Sequence, residues 1–139
     1  MTKRVVSTAE YQRLLEMRTG LRKFLHWSEE RARQVGLTPA QHQLLLAVRG
    51  HPGPGAPTIG DLAEHLLLQH HSAVQLVDRA EAAGLLVRSR DPDDHRRVHV
   101  ALTAGGNRIL ESLSAEHLEE LDRVGLSLGE ISVRSLGHR

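Results

Sequence analysis

Ten histidines and no cysteine set the chemistry open to this chain. Without a thiol there is no disulfide, no thiolate metal site and no cysteine nucleophile or redox sensor. His65, His70 and His71 stand close together, and His95 and His99 fall on one face of an alternating stretch. Neither HExxH nor the helical i, i+4 histidine pair of a zinc site occurs, so no metal ligand is assigned. No GxSxG elbow is present, and Asp91-Pro92-Asp93-Asp94 reads as turn chemistry rather than paired catalytic carboxylates, so no catalytic residue is assigned and an enzyme is not expected. A GxGxxG pattern from Gly53 fails at Thr58, and no GxxxxGK[ST] occurs, which removes the phosphate cradles of nucleotide sites. What remains is hydrogen-bonding and ionic chemistry in two places. One is the polar run Gln69, His70, His71 and Ser72, continued by Gln75 and Arg79. The other is an arginine-rich stretch, Arg88, Arg90, Arg96 and Arg97, with Asp94 and His95 inside it. A glutamine side chain pairs bidentately with adenine, free N–H groups at a helix start hold phosphate, and an arginine at a hairpin tip fits a narrow, electronegative minor groove.

These groups need elements to aim them. With 139 residues, 40% hydrophobic and 25% charged, the chain is sized for a single folded domain. Tyr11, Phe24 and Trp27 are its only aromatics, so the core falls to Leu, Val and Ala, and subunit association is expected to supply part of the burial. Net charge is +4 over residues 1–36, −1 over 37–105 and −2 over 106–139, while seven of ten histidines fall in the middle section. No apolar run is long enough to span a bilayer and the first dozen residues do not read as a signal peptide; a cytoplasmic location is expected.

Ser7-x-x-Glu10 and Thr38-Pro39-x-Gln41 are capping boxes and predict helix starts. The first helix carries a stripe of Tyr11, Leu14, Leu15, Leu21, Leu25 and Ser28 to about Gln34, where Gly36 stops it. The second carries Leu44, Leu45, Ala47 and Val48. Three prolines and three glycines in residues 50–57 make a loop. Thr58 and Asp61 start a short third helix, and residues 70–83 form a fourth, ending at Gly84. On that fourth helix Ala73, Leu76, Val77 and Ala80 share one face, leaving His71, Gln75 and Asp78 opposite and Ser72 and Arg79 flanking. Asp78 is expected to pair with an arginine. Residues 85–90 and 97–102 alternate about the 91–94 turn as a hairpin, and Thr103 caps a fifth helix, with a short sixth expected in 127–139. Helix-turn-helix followed directly by a basic-edged hairpin is the plan of a winged-helix DNA reader, mainly α with a small β wing.

The residues that build this plan also carry a resemblance. VDRAEAAGL at 77–85, DPDDHR at 91–96 and LTAGG at 102–106, in that order and spacing, resemble the multiple antibiotic resistance regulator (MarR) family, most strongly over residues 58–106. The resemblance implies dimerisation helices at residues 1–36 and 106–139 around a DNA-binding lobe at 37–105. It implies a homodimer that reads successive major grooves of a pseudo-palindromic operator, typically as a repressor released by a small molecule such as a phenolic or aromatic acid. Arg96 sits at the family's wing arginine, oriented by a bidentate pair with Asp94, and Ala80 stands where the family usually has leucine. His26, Trp27, Arg31 and His42 are the candidate effector contacts, with no cofactor implied. Because the 37–105 lobe is not basic overall, protonation of His70, His71 and His95 beside phosphates is expected to tighten DNA binding as pH falls. Two alternatives stay open. One is a zinc-responsive regulator of the same fold drawing ligands from His26, His42 or His117, although His117 beside Leu113 and Leu121 also suits a hydrogen-bonded structural role. The other is a winged helix used as a protein-interaction module without DNA.

Overall fold

A computed structural model describes residues 3–137, with side chains as far as Val124. All the helices but α4 begin where a side chain satisfies one of the first free backbone N–H groups. The helix α1 (Thr8–Gln34) opens with Ser7 Oγ accepting from the Glu10 N–H at 3.1 Å while Glu10 accepts from the Ser7 N–H. Reciprocal bonds of the same kind open α2 (Pro39–Gly50) at Thr38 and Gln41, and α3 (Ile59–Leu66) at Thr58 and Asp61. The turn that follows places Leu67 in the left-handed region at φ 55°, and α4 (His70–Ala82) begins after Gln69. Gly84, at φ +77°, ends this helical run and leads into β1 (Leu86–Arg90), which pairs antiparallel with β2 (Val98–Leu102) from Leu86 opposite Leu102 to Arg90 opposite Val98. A single helix, α5 (Ala104–Gly137), follows. The short separate sixth helix expected from the tail does not occur, because α5 runs unbroken through Gly129; residues 138 and 139 lie outside the described residues.

The chain divides into two units, Arg31–Ser114 and the two terminal stretches up to Glu30 and from Ala115. In the central unit Leu37, Leu44, Leu45, Leu62, Ala73, Val77, Ala80, Leu86 and Val100 are buried together with Ala32, Leu110 and Leu113, so its core draws on the ends of both long helices as well as residues 37–105. Thr103 joins the hairpin to α5: its hydroxyl donates to the Gly84 carbonyl at 2.7 Å and accepts from the Gly106 N–H at 3.0 Å. Gly106 follows from that closeness, because a Cβ there would stand 2.0 Å from the Leu85 carbonyl oxygen. The residues just before α3 extend the hairpin, with the Val100 N–H donating to Pro57 O at 2.9 Å and Thr58 bridging to His99.

In the terminal unit the helices meet through aromatic and imidazole rings. Ser28 Oγ and His117 Nε2 are 2.6 Å apart, and the His117 ring lies edge-on to Trp27 at 4.8 Å and Phe24 at 5.9 Å. His117 thus has the hydrogen-bonded structural setting named as one of its two readings. The apolar stripe of α1 is left largely in solvent, with Tyr11, Leu14, Leu15, Leu21 and Leu25 all exposed, as are Leu118 and Leu121 on α5.

Candidate nucleic-acid interface

The polar groups that the sequence singles out for nucleic acid lie on two elements and the residue just ahead of one, α4 with Gln69 and the β1–β2 hairpin with its turn. On α4, Ala73, Val77 and Ala80 are buried and Leu76 is half-buried, which leaves His70, His71, Gln75, Asp78 and Arg79 exposed and Ser72 half-buried. Gln69, just ahead of the helix, is exposed and makes no side-chain cap, so its amide stays available. The first turn of α4 therefore presents short polar side chains and free N–H groups, the combination that reads base edges and holds phosphate.

Two carboxylates on the far half of α4 tie it to the hairpin. Arg88 on β1 donates from Nε to Glu81 at 2.9 Å and from Nη1 to Asp78 at 2.5 Å, while its backbone N–H reaches the other Glu81 oxygen at 3.1 Å. The Glu81 bonds hold the Arg88 pKa above its usual value, and the bonds from Arg88 hold the Glu81 carboxyl below its own. Asp78 finds its arginine, as expected. Arg88 departs from the expectation of a free cation on the incoming strand, because two acidic neighbours already neutralise it. Arg90, Arg97 and His95 are exposed.

At the wing tip Asp94 Oδ1 accepts from both the backbone N–H of Arg96, at 3.1 Å, and its Nε, at 3.2 Å. This is a single-oxygen clamp, which corrects the bidentate pair expected: Arg96 is only two residues on, and its backbone already occupies the oxygen that its side chain shares. The guanidinium is directed yet remains 92% exposed. Asp91 sets the turn beneath it. Its Oδ1 accepts from the Asp93 and Asp94 N–H groups, at 2.9 and 3.2 Å, and its Oδ2 meets His99 Nε2 at 2.8 Å. The bond to His99, aided by the two backbone donors, lowers the Asp91 pKa to about 2.

The decisive relationship is between these elements. His70 at the start of α4 and Arg96 and Arg97 of the wing line one cleft of about 190 Å³, floored by Thr58, Ile59 and Gly60 at the start of α3. The helix tip and the arginine-bearing ribbon therefore face the same side. A family model described as "MarR family" matches residues 35–97, the stretch that builds this lobe. Over this lobe the chain matches the MarR family. The HTH-type transcriptional regulator FarR of Neisseria gonorrhoeae is 35% identical over 96 residues, 69% of this chain and 64% of FarR. The chain thus spans less than two thirds of FarR's length. Among solved structures, the S. aureus MepR–DNA complex superposes with a TM-score of 0.69 at 19% identity, covering 96% of each chain. NadR in complex with 4-hydroxyphenylacetate superposes at 0.71 with 24% identity, covering 99% of this chain and 93% of NadR. At these identities the likeness carries the MarR winged-helix fold.

Of the four candidate effector contacts, His26 and Trp27 fall in the terminal unit and Arg31 and His42 in the central one. In the terminal unit a groove of about 670 Å³ is lined by Leu15, Lys23, Phe24, Trp27, Glu120 and Arg123 among others, and only Trp27 of the four lines it. His26 is exposed, Arg31 donates to Gln34 at 3.0 Å, and His42 is buried in the central unit. Among the described residues no three His, Asp or Glu gather as a metal-ligand group. No helix among them is long and apolar enough to cross a membrane. Sequence reasoning did not single out Asp91 or His99 as a pair. His99 meets Asp91 directly and also the Ala56 carbonyl, 43 residues away, a contact that no local pattern signals.

Proposed function

We propose that this chain is a sequence-specific DNA-binding transcriptional regulator acting as a homodimer, most simply a ligand-responsive repressor at a pseudo-palindromic operator. The observation that carries the reading is the shared cleft of His70, Arg96 and Arg97, which lets one lobe offer a helix tip to a major groove and an arginine to the adjoining minor groove. Gln69, His70, His71, Ser72 and Gln75 are the base-edge and phosphate contacts, with Arg79, Arg90, His95, Arg96 and Arg97 supplying further cations or donors. Asp94 directs Arg96, and Arg88 braces the hairpin against α4. The exposed leucines of α1 and α5 supply the reason for pairing, since one chain leaves them in water. A phenolic or aromatic acid is the effector class, by analogy with the ligand in the NadR complex and with a groove that sets Lys23 beside Trp27.

Footprinting the DNA upstream of the protein's own gene tests this. A protected, two-fold-related pair of half-sites about one helical turn apart is expected. A purely protein-binding winged helix would leave that DNA unprotected, and Arg96→Ala would then change nothing. The lone Trp27 provides the effector assay, because an aromatic acid seated in the groove alters its fluorescence.

A further inference from the structure

His99 on β2 has acceptors at both ring nitrogens. Nδ1 lies 2.9 Å from the Ala56 carbonyl oxygen, in the loop before α3, and Nε2 lies 2.8 Å from the Asp91 carboxylate at the wing turn. A carbonyl oxygen accepts only, and so does an ionised carboxylate, so each bond needs a proton on the ring nitrogen. We propose that His99 is a positioning residue held as an imidazolium that pins the wing turn to the loop ahead of α3, so that presentation of Arg96 to DNA depends on the His99 charge. The claim about Arg96 rests on the DNA-binding reading above; the pinned imidazolium does not.

The connections run in one line. Ala56 O takes one ring proton and Asp91 Oδ2 the other. Asp91 Oδ1 holds the Asp93 and Asp94 N–H groups, and Asp94 in turn holds Arg96. When the Nε2 proton leaves, a ring lone pair faces the carboxylate, and a charge-assisted bond is replaced by repulsion. The charged groups acting on the ring are Asp91, which favours the cation, and Arg97, which opposes it. From α3, Asp61 is occupied at Thr58 and faces His51 at 3.7 Å, and the strand residue opposite His99 on β1 is the uncharged Ser89. The balance raises the His99 pKa, through the Asp91 bond first and the Ala56 bond second. The anchor is therefore complete below the ordinary histidine range and is lost as pH rises through the raised value.

The test is imidazole and backbone nitrogen spectroscopy on the free protein from pH 6 to 9.5, alongside operator affinity over the same range. The His99 ring is expected to carry both protons to a higher pH than an ordinary histidine. As it titrates, the Asp93 and Asp94 amides lose exchange protection and operator affinity falls about fivefold. His99→Gln, which can donate to one acceptor but not both, is expected to bind DNA weakly with that alkaline limb removed. Asp91→Asn, which keeps the shape of the turn, is expected to move the His99 titration down. A His99 ring that loses a proton no later than an ordinary histidine, wing amides indifferent to its titration, or a His99→Gln protein whose operator affinity still falls in step with the titration of the unaltered His99 would each overturn the proposal. If no DNA is bound by the unaltered protein, the functional reading fails while the ring and amide signals still decide the anchor.

Discussion

A single oxygen of Asp94 receives both the backbone N–H and the Nε of Arg96, at 3.1 and 3.2 Å, and leaves the far side of the guanidinium open to solvent. A pair this exposed contributes little to stability. Its consequence lies in direction, since an arginine already turned outward loses less freedom when it meets DNA. Arg96→Ala is expected to weaken operator binding by at least ~1 kcal/mol with the melting temperature unchanged. Asp94→Ala, which keeps the cation and frees it, is expected to cost less. Fluorescence anisotropy on labelled operator, paired with thermal melts, separates the two effects.

Arg88 is expected to behave in the opposite way. Its guanidinium is shared between Asp78 and Glu81, so it has little free charge to displace counterions. Arg88→Ala should leave the salt dependence of operator affinity unaltered and lower stability by at most ~1 kcal/mol, since the cluster is partly exposed and screened. Arg96→Ala should flatten the salt dependence by about one counterion per lobe. Affinities measured across a salt series decide this.

Two adjacent glycines of the LTAGG motif are expected to respond differently. A Cβ at Gly106 meets the Leu85 carbonyl oxygen at 2.0 Å, and backbone on both sides cannot yield. Gly106→Ala is expected to cost about 3 kcal/mol. At Gly105 the nearest atom to such a Cβ is the Thr103 hydroxyl at 3.8 Å, so Gly105→Ala is expected to be neutral or stabilising. Chemical denaturation of the two variants provides the contrast.

The wing turn should open in acid. Asp91 titrates at about 2 in the folded chain against an ordinary value of ~3.9, so its contribution is intact above about pH 4 and is lost as pH falls toward 2. The amide signals of Asp93 and Asp94 should move through that window, and Asp91→Asn should abolish the movement while leaving the rest of the central unit folded.

Much of this architecture was legible in the residue order because local chemistry is enough to start and stop elements. Ser7, Thr38, Thr58 and Thr103 each stand at a helix start and accept from an N–H three residues on, and the alternation after Arg97 becomes β2. The outward face of α4 follows from a period that buries Ala73, Val77 and Ala80. The tail was expected as a short separate helix, whereas a glycine inside a long helix costs only about 1 kcal/mol and α5 runs through Gly129.

By itself, the sequence determined which elements form, which face of α4 is polar, and that a thiol-free chain with so few aromatics builds an aliphatic core. Only the tertiary structure decided which charges are free and which are taken. Arg88 and Arg96 are equal in a list of cations, yet one is neutralised by Asp78 and Glu81 and the other is held out into solvent. His99, one histidine among ten, is singled out by a carbonyl 43 residues away. The physical reason is range: capping and periodicity act over three or four residues along the chain, while the state of a charge is set by whichever groups the packed fold brings within hydrogen-bonding distance.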